Sequence, residues 1–181
     1  MQGGLNEPME YLIVVDMQND FITGALGTAE AEAIVPAVAA RIRSFPGRVL
    51  FTRDTHEANY LETQEGRKLP VPHCIRNTDG WQLHPMMEAL RTEPPIDKPT
   101  FGSMALAERL RGESVERVTL IGLCTDICVL ANAMLLRAAL PETPIVVDAA
   151  CCAGVTPESH RRALEAMKPC QIEILEAAGN A

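Results

Sequence analysis

The chain has 181 residues, 47% of them apolar and 22% charged, and a net charge of −8. That balance supports one soluble domain with a real core and argues against nucleic acid as a partner, since no phosphate-tracking basic surface is available. No apolar run is long enough for a membrane helix. The first ten residues have neither the basic flank nor the apolar core of a signal peptide. A cytoplasmic protein with six reduced cysteines is therefore expected, and the cysteine spacing contains no CxxC pair for a zinc ribbon or a redox dithiol.

In chain order, Tyr11 to Val15 predicts a short buried strand ending at Asp16. Ala29 to Phe45 has helical spacing, with Ile34, Val38 and Ile42 on one face and Pro46-Gly47 as a stop. Arg48 to Thr52 predicts a second strand ending near Asp54, and a weaker one precedes Lys98. Met104 to Arg111 reads as a helix and Val115 to Ile121 as a strand. After a turn through Gly122-Leu123-Cys124-Thr125-Asp126-Ile127-Cys128, the alanine-rich segment Val129 to Leu140 reads as a helix. Ile145 to Val147 is a strand ending at Asp148, Pro157 to Lys168 a helix, and Cys170 to Leu175 a last strand. Strands alternating with helices predict an α/β fold of three layers, a parallel sheet with helices on both faces, as one domain over residues 1–181 with its core at about 11–175.

In such sheets ligands bind beyond the carboxyl ends of the strands, where Asp16, Asp54, Lys98 and Cys128 all fall. Cys128 sits in the first turn of a predicted helix that Thr125 or Asp126 can cap, so the helix dipole favours its thiolate. Free backbone N–H groups there can hold an oxyanion. The competing reading is a small buried hydrophobe. Asp16 as a turn cap and Lys98 as a surface lysine beside Asp97 are the corresponding alternatives.

From Asp54 to Trp81 the sequence is polar and broken by Pro70 and Pro72, longer than a compact domain normally tolerates without a function. Asp54 and His56 point the same way on an extended chain, where the side-chain period is two. With His73 they make a ligand set suited to zinc, iron or manganese, unless all are simply solvated. His84 and His160 read as surface or capping residues.

Three segments now carry a resemblance. Val15-Asp16-Met17-Gln18-Asn19-Asp20-Phe21, Asp97-Lys98-Pro99-Thr100-Phe101 and Thr125-Asp126-Ile127-Cys128-Val129 resemble, in order and separation, the signatures of the isochorismatase-like cysteine hydrolases. Asp54-Thr55-His56 followed by Pro72-His73-Cys74 resembles the metal site of that family's nicotinamidases. The resemblance implies a parallel sheet of about six strands and a cis peptide between Leu123 and Cys124. It implies a catalytic set of Asp16, Lys98 and Cys128, with the backbone N–H groups of Cys124 and Cys128 as the oxyanion hole. Phe21 matches the position that packs on the substrate ring. The metal ligands would be Asp54, His56 and His73, with Glu65 as the fourth, and zinc is the first choice of divalent metal ahead of iron or manganese. Cys74, Cys151, Cys152 and Cys170 read as packing.

The activity so implied is metal-assisted hydrolysis of nicotinamide to nicotinate and ammonia, a step in NAD salvage, through a Cys128 thioester with Asp16 as general base and acid. Two departures bear on the substrate: Pro70 and Ala105 stand where relatives often have aromatic residues, leaving Tyr60, Trp81 and Phe101 as replacements. A cysteine hydrolase of the same family acting on another small amide or carbamoyl compound is the alternative, and a non-catalytic binding protein on the same fold is the second. The implied partner is a small amide, without nucleic acid or membrane, and self-association is common in the family.

Overall fold

The computed structural model describes residues 7–176. The beginning of the polar N-terminal segment considered above for targeting lies outside them. In chain order the elements are β1 (Met9–Val15), α1 (Asn19–Ile22), α2 (Ala29–Ser44), β2 (Arg48–Asp54), α3 (Gln64–Lys68), α4 (Pro85–Glu88) and β3 (Ile96–Lys98). They continue with α5 (Met104–Arg111), β4 (Val115–Leu123), a π-helical turn (Thr125–Val129), α6 (Leu130–Ala139), β5 (Ile145–Ala153), α7 (Pro157–Met167) and β6 (Glu173–Leu175). No helix among the described residues is long and apolar enough to cross a membrane.

The strands form one six-stranded sheet in the order β3-β2-β1-β4-β5-β6, and every neighbouring pair is parallel. An all-parallel sheet must be covered on both faces, which is why its central strand reads as an unbroken apolar run. Along β1 the side chains alternate accordingly: Tyr11, Ile13 and Val15 pack with α5, α6 and α7, while Leu12 and Val14 pack with α2. The buried face of α2 is Ala31, Val35, Val38, Ala39 and Ile42, so Ile34, expected among them, is displaced to the edge of the core. Thr28 caps this helix by accepting from the Ala31 N–H at 3.1 Å.

The chain winds outward from β1 to β2 and β3, then crosses to β4 and winds the other way to β5 and β6. The switch point therefore lies between the carboxyl ends of β1 and β4, the place where such sheets open a crevice. Gly122 makes the crossing tight. Its φ is +114°, and a Cβ there would lie 2.2 Å from the Val15 carbonyl oxygen, so only glycine lets β4 approach β1 this closely.

The predicted elements are all present, with β1, β2, β4 and β5 longer than expected and β6 shorter than the expected Cys170 to Leu175, because Lys168–Cys170 closes a 3-10 turn after α7 and the strand starts only at Glu173. The length of β5 escaped the sequence reading because Asp148-Ala149-Ala150-Cys151-Cys152 has neither strand alternation nor β-branched residues. Its pairing with β4 resumes after a shift in register, at Gly122 with Cys152 and Leu123 with Ala153.

Candidate active site

Asp16 follows the last residue of β1 and takes φ +47°, a conformation uncommon outside glycine and typical of functional sites. Lys98 ends β3, and Cys128 sits in the π-helical turn after β4. The sheet brings these distant positions together. Lys98 Nζ lies 2.6 Å from Asp16 Oδ2 and 3.5 Å from Cys128 Sγ. It also donates to the Thr100 carbonyl at 3.0 Å and to Asp54 Oδ1 at 3.3 Å. Lys98 is thus a buried ammonium with every donor engaged, and the surface-lysine reading falls. Asp97, the neighbour invoked for that reading, pairs instead with Arg53 and Arg76.

Burial raises the Asp16 carboxyl above its ordinary range, against the opposing pull of Lys98. The Thr52 hydroxyl donates to Asp16 Oδ1 at 2.7 Å, fixing which oxygen faces the lysine. Burial opposes the charge on Lys98, but Asp16, Cys128 and Asp54 together outweigh it and raise its pKa. Burial also drives the Cys128 thiol well above the usual cysteine value, and the adjoining Asp16 carboxylate adds to this, with Lys98 opposing. The expectation that the helix start would favour a resting thiolate is therefore corrected. Desolvation opposes the thiolate at Cys128 more strongly than the Lys98 ammonium favours it.

The turn that carries Cys128 differs from the expected cap. Neither Thr125 nor Asp126 caps the helix. Cys124 stands at the N-cap position, and its carbonyl accepts from Val129 N–H at 3.0 Å, the wide spacing of a π turn. Thr125 Oγ1 instead lies 2.7 Å from His160 Nδ1 on α7, and Asp126 Oδ1 accepts from Val155 N–H at 3.1 Å. The two side chains tie the nucleophile's turn to α7 and to the connection that precedes it. His160 is consequently neither the surface nor the capping residue expected of it, whereas His84 does cap α4, accepting from Met86 N–H. The Leu123–Cys124 peptide is cis, as the resemblance implied. Cys74, Cys151 and Cys152 are buried, as expected for packing residues, while Cys170 is only half-buried against the core edge.

Beside this trio, Asp54, His56, Glu65 and His73 present ligand atoms that all lie within 4.8 Å of one another. His56 Nε2 is 3.0 Å from Asp54 Oδ2 and 3.5 Å from Glu65 Oε1. His73 Nε2 is 3.7 Å from the same Asp54 oxygen and 3.8 Å from Glu65 Oε1. His73 Nδ1 lies 2.8 Å from the Val71 carbonyl. That hydrogen bond requires the proton on Nδ1 and leaves the Nε2 lone pair facing the cluster, the outer-shell arrangement that metal-binding histidines use. Two imidazoles and two carboxylates converging on one buried point fit a divalent transition metal. Asp54 joins the two groups, one oxygen on Lys98 and the other on His56.

Sequence reasoning missed the residues that hold this arrangement. Gln18 is fully buried; its side chain accepts from Asp54 N–H at 2.7 Å and donates to the Asp54 carbonyl at 2.8 Å, fixing that residue as a sheet neighbour would. Tyr60 packs against His56 and His73 with ring centroids 4.7 and 5.0 Å away. Its position among the three aromatic replacements was legible, but not its role. Of the other two, Trp81 lies elsewhere, its N–H on Thr55 and its ring under Arg53. Phe101 lines the pocket.

That pocket is a cavity of about 220 Å³ whose floor is Cys128, Cys124, Asp54 and His73 and whose walls include Phe21, Leu26, Leu69, Phe101, Ile127 and Val155. Phe21 is where it was expected, with its ring 5.5 Å from that of His73. Pro70 and Ala105 are exposed and take no part in the wall.

A doubly wound parallel sheet with cysteine, lysine and aspartate meeting under an apolar pocket at its switch point defines a three-layer α/β protein with a buried reactive centre. The isochorismatase domain family matches residues 10–179, and the chain belongs to that family. A pyrazinamidase of Pyrococcus horikoshii, solved in complex with zinc, is 33% identical, with a TM-score of 0.78 over 94% of this chain and 100% of that one. A nicotinamidase of Bacillus subtilis is 28% identical, with a TM-score of 0.74 over 92% of this chain and 98% of that one. The nicotinamidase/pyrazinamidase of Mycobacterium tuberculosis is 27% identical over 186 residues, covering 92% of this chain and 98% of that protein.

Proposed function

We propose that this chain is a metal-assisted nicotinamidase, hydrolysing nicotinamide to nicotinate and ammonia. The observation that carries this reading is the contact of Lys98 with Asp16, Cys128 and Asp54 at once, which sets a nucleophile and its base beside a four-donor metal cluster. The names of the relatives support the substrate class.

The chemistry follows from the groups in contact. Cys128 begins as a thiol, so its proton passes to Asp16 as sulfur bonds to the amide carbon. Lys98 stays charged throughout, holding Asp16 in place and offsetting negative charge on sulfur. The N–H groups of Cys124 and Cys128 would face the developing oxyanion. Asp16, whose proton affinity burial has raised, then protonates the amide nitrogen, the C–N bond breaks and ammonia leaves, giving a thioester. Water attacks that carbon and gives a proton to Asp16; the C–S bond breaks, and Asp16 returns the proton to sulfur. Asp54, His56, Glu65 and His73 would hold the metal. When bound, it supplies a Lewis-acidic anchor for the pyridine nitrogen.

The decisive experiment measures ammonia release from nicotinamide by purified protein, a chelator-treated sample and Cys128→Ala in parallel. Loss in both controls is expected. Loss in Cys128→Ala alone would remove the metal from the mechanism, and no turnover by the zinc-loaded protein would overturn the nicotinamide assignment.

A further inference from the structure

Leu69, Phe101 and Val155 are large apolar side chains left 38%, 43% and 48% exposed. All three line the cavity that ends on Cys128. Exposed apolar residues are ordinary when scattered, but a cluster rimming one pocket marks a binding surface. They come from three separate parts of the chain: the end of α3, the loop before α5, and the β5–α7 connection. Leu26 and Ile127 extend the same surface inward towards Phe21.

Two polar side chains near this rim are each turned to a backbone N–H. Thr28 Oγ1 accepts from the Ala31 N–H, and the Asp126 carboxylate accepts from Val155 N–H. Asp54, Glu65 and His73 face one another at the cavity floor. A polar or anionic substituent laid against Leu69, Phe101 and Val155 would lose part of its water and find no hydrogen-bond partner on those side chains. An apolar substituent gains contact instead.

Resting on the amidase reading above, we propose that the rim of Leu69, Phe101 and Val155 is a second, apolar subsite, and that the protein's substrate class extends to ring carboxamides carrying a small alkyl group away from the amide. The subsite has a limited reach. The cavity holds about 220 Å³ and its rim residues are 38–48% exposed, so a chain longer than ethyl runs past the rim into solvent and gains nothing more.

The test compares kcat/KM of the zinc-loaded protein for nicotinamide, 5- and 6-methyl-, ethyl- and butylnicotinamide, and the matching hydroxy and carboxy compounds. At one ring position or the other, methyl and ethyl derivatives are expected to equal or exceed nicotinamide, butyl to add nothing over ethyl, and the hydroxy and carboxy compounds to fall by about tenfold or more. In Phe101→Ser and Val155→Ser, the ratio of ethyl to parent substrate is expected to fall several-fold, whatever happens to the parent rate. Nicotinamide turned over with all alkyl derivatives at least tenfold worse would overturn the subsite while leaving the amidase reading intact. An unchanged ratio in both variants would place the alkyl selectivity elsewhere and overturn it too. No turnover of any ring carboxamide would overturn both readings together.

Discussion

Lys98 Nζ and Asp16 Oδ2 lie 2.6 Å apart, and neither side chain has any exposed surface. Breaking such a pair from one side leaves a charge buried without its counter-ion, which costs about 3–5 kcal/mol. Lys98→Met is therefore expected to lower the unfolding free energy by that order in urea titration, while Asp16→Asn/Lys98→Met recovers part of the loss. A double variant as unstable as the sum of the two single ones would show that the charges do not act as a pair.

Cys128→Ala removes the nucleophile without altering the charges around it. Turnover is expected to fall by at least about 10³-fold, with an unchanged thermal midpoint. Residual activity near the wild-type rate would assign the nucleophile's role to another group.

The four donors Asp54, His56, Glu65 and His73 predict one tightly bound transition metal per chain. Chelation is expected to lower the melting temperature, and zinc to restore it, because an ion that binds only the folded state stabilises it. His73→Ala should abolish the zinc-induced shift. Metal analysis showing equal content in wild type and His73→Ala would disprove this ligand set.

The Thr125–His160 bond links α7 to the turn that presents Cys128. Both Thr125→Val and His160→Ala are expected to lower kcat more than they raise KM, with His160→Gln milder and the double variant no worse than either single one. Burial lowers the pKa of His160, with only Asp126 opposing. Between that lowered value and 6.5 the unfolded chain binds more protons at this site, so the contribution of His160 to stability is present above 6.5 and is lost as pH falls through the folded value. Stability measured across that window should depend less steeply on pH in His160→Gln than in wild type.

Gly122→Ala places a methyl group 2.2 Å from the Val15 carbonyl oxygen at φ +114°. The backbone conformation alone is expected to cost about 1–3 kcal/mol, and the clash adds to it by pushing β4 from β1. A variant with wild-type stability and activity would mean that the switch point tolerates a wider separation.

Much of the candidate site was legible because its residues fall at strand ends, and strand ends can be read from apolar runs. Tyr11 to Val15 and Val118 to Ile121 are buried on both faces, so their composition announced them, and Asp16 and Cys128 followed. Asp54 and His56 were legible as a pair for the same local reason, the two-residue period of extended chain. Gln18, Thr52 and His160 were not, since each acts on a residue at least 35 positions away. Ionisation states were equally out of reach. The thiolate expected of Cys128 rested on its local helix start, whereas what opposes it is desolvation by the whole surrounding core.

The sequence by itself determined the layered α/β architecture, the order of its strands along the chain and the residue types available at each strand end, because hydrophobic periodicity and turn chemistry act over short distances. Only the tertiary structure decided that β1 and β4 lie side by side, that one ammonium serves Asp16, Asp54 and Cys128, and that Leu69, Phe101 and Val155 share a rim. Those are relations across the sheet, set by packing and desolvation, which sum over neighbours that no local stretch of chain contains.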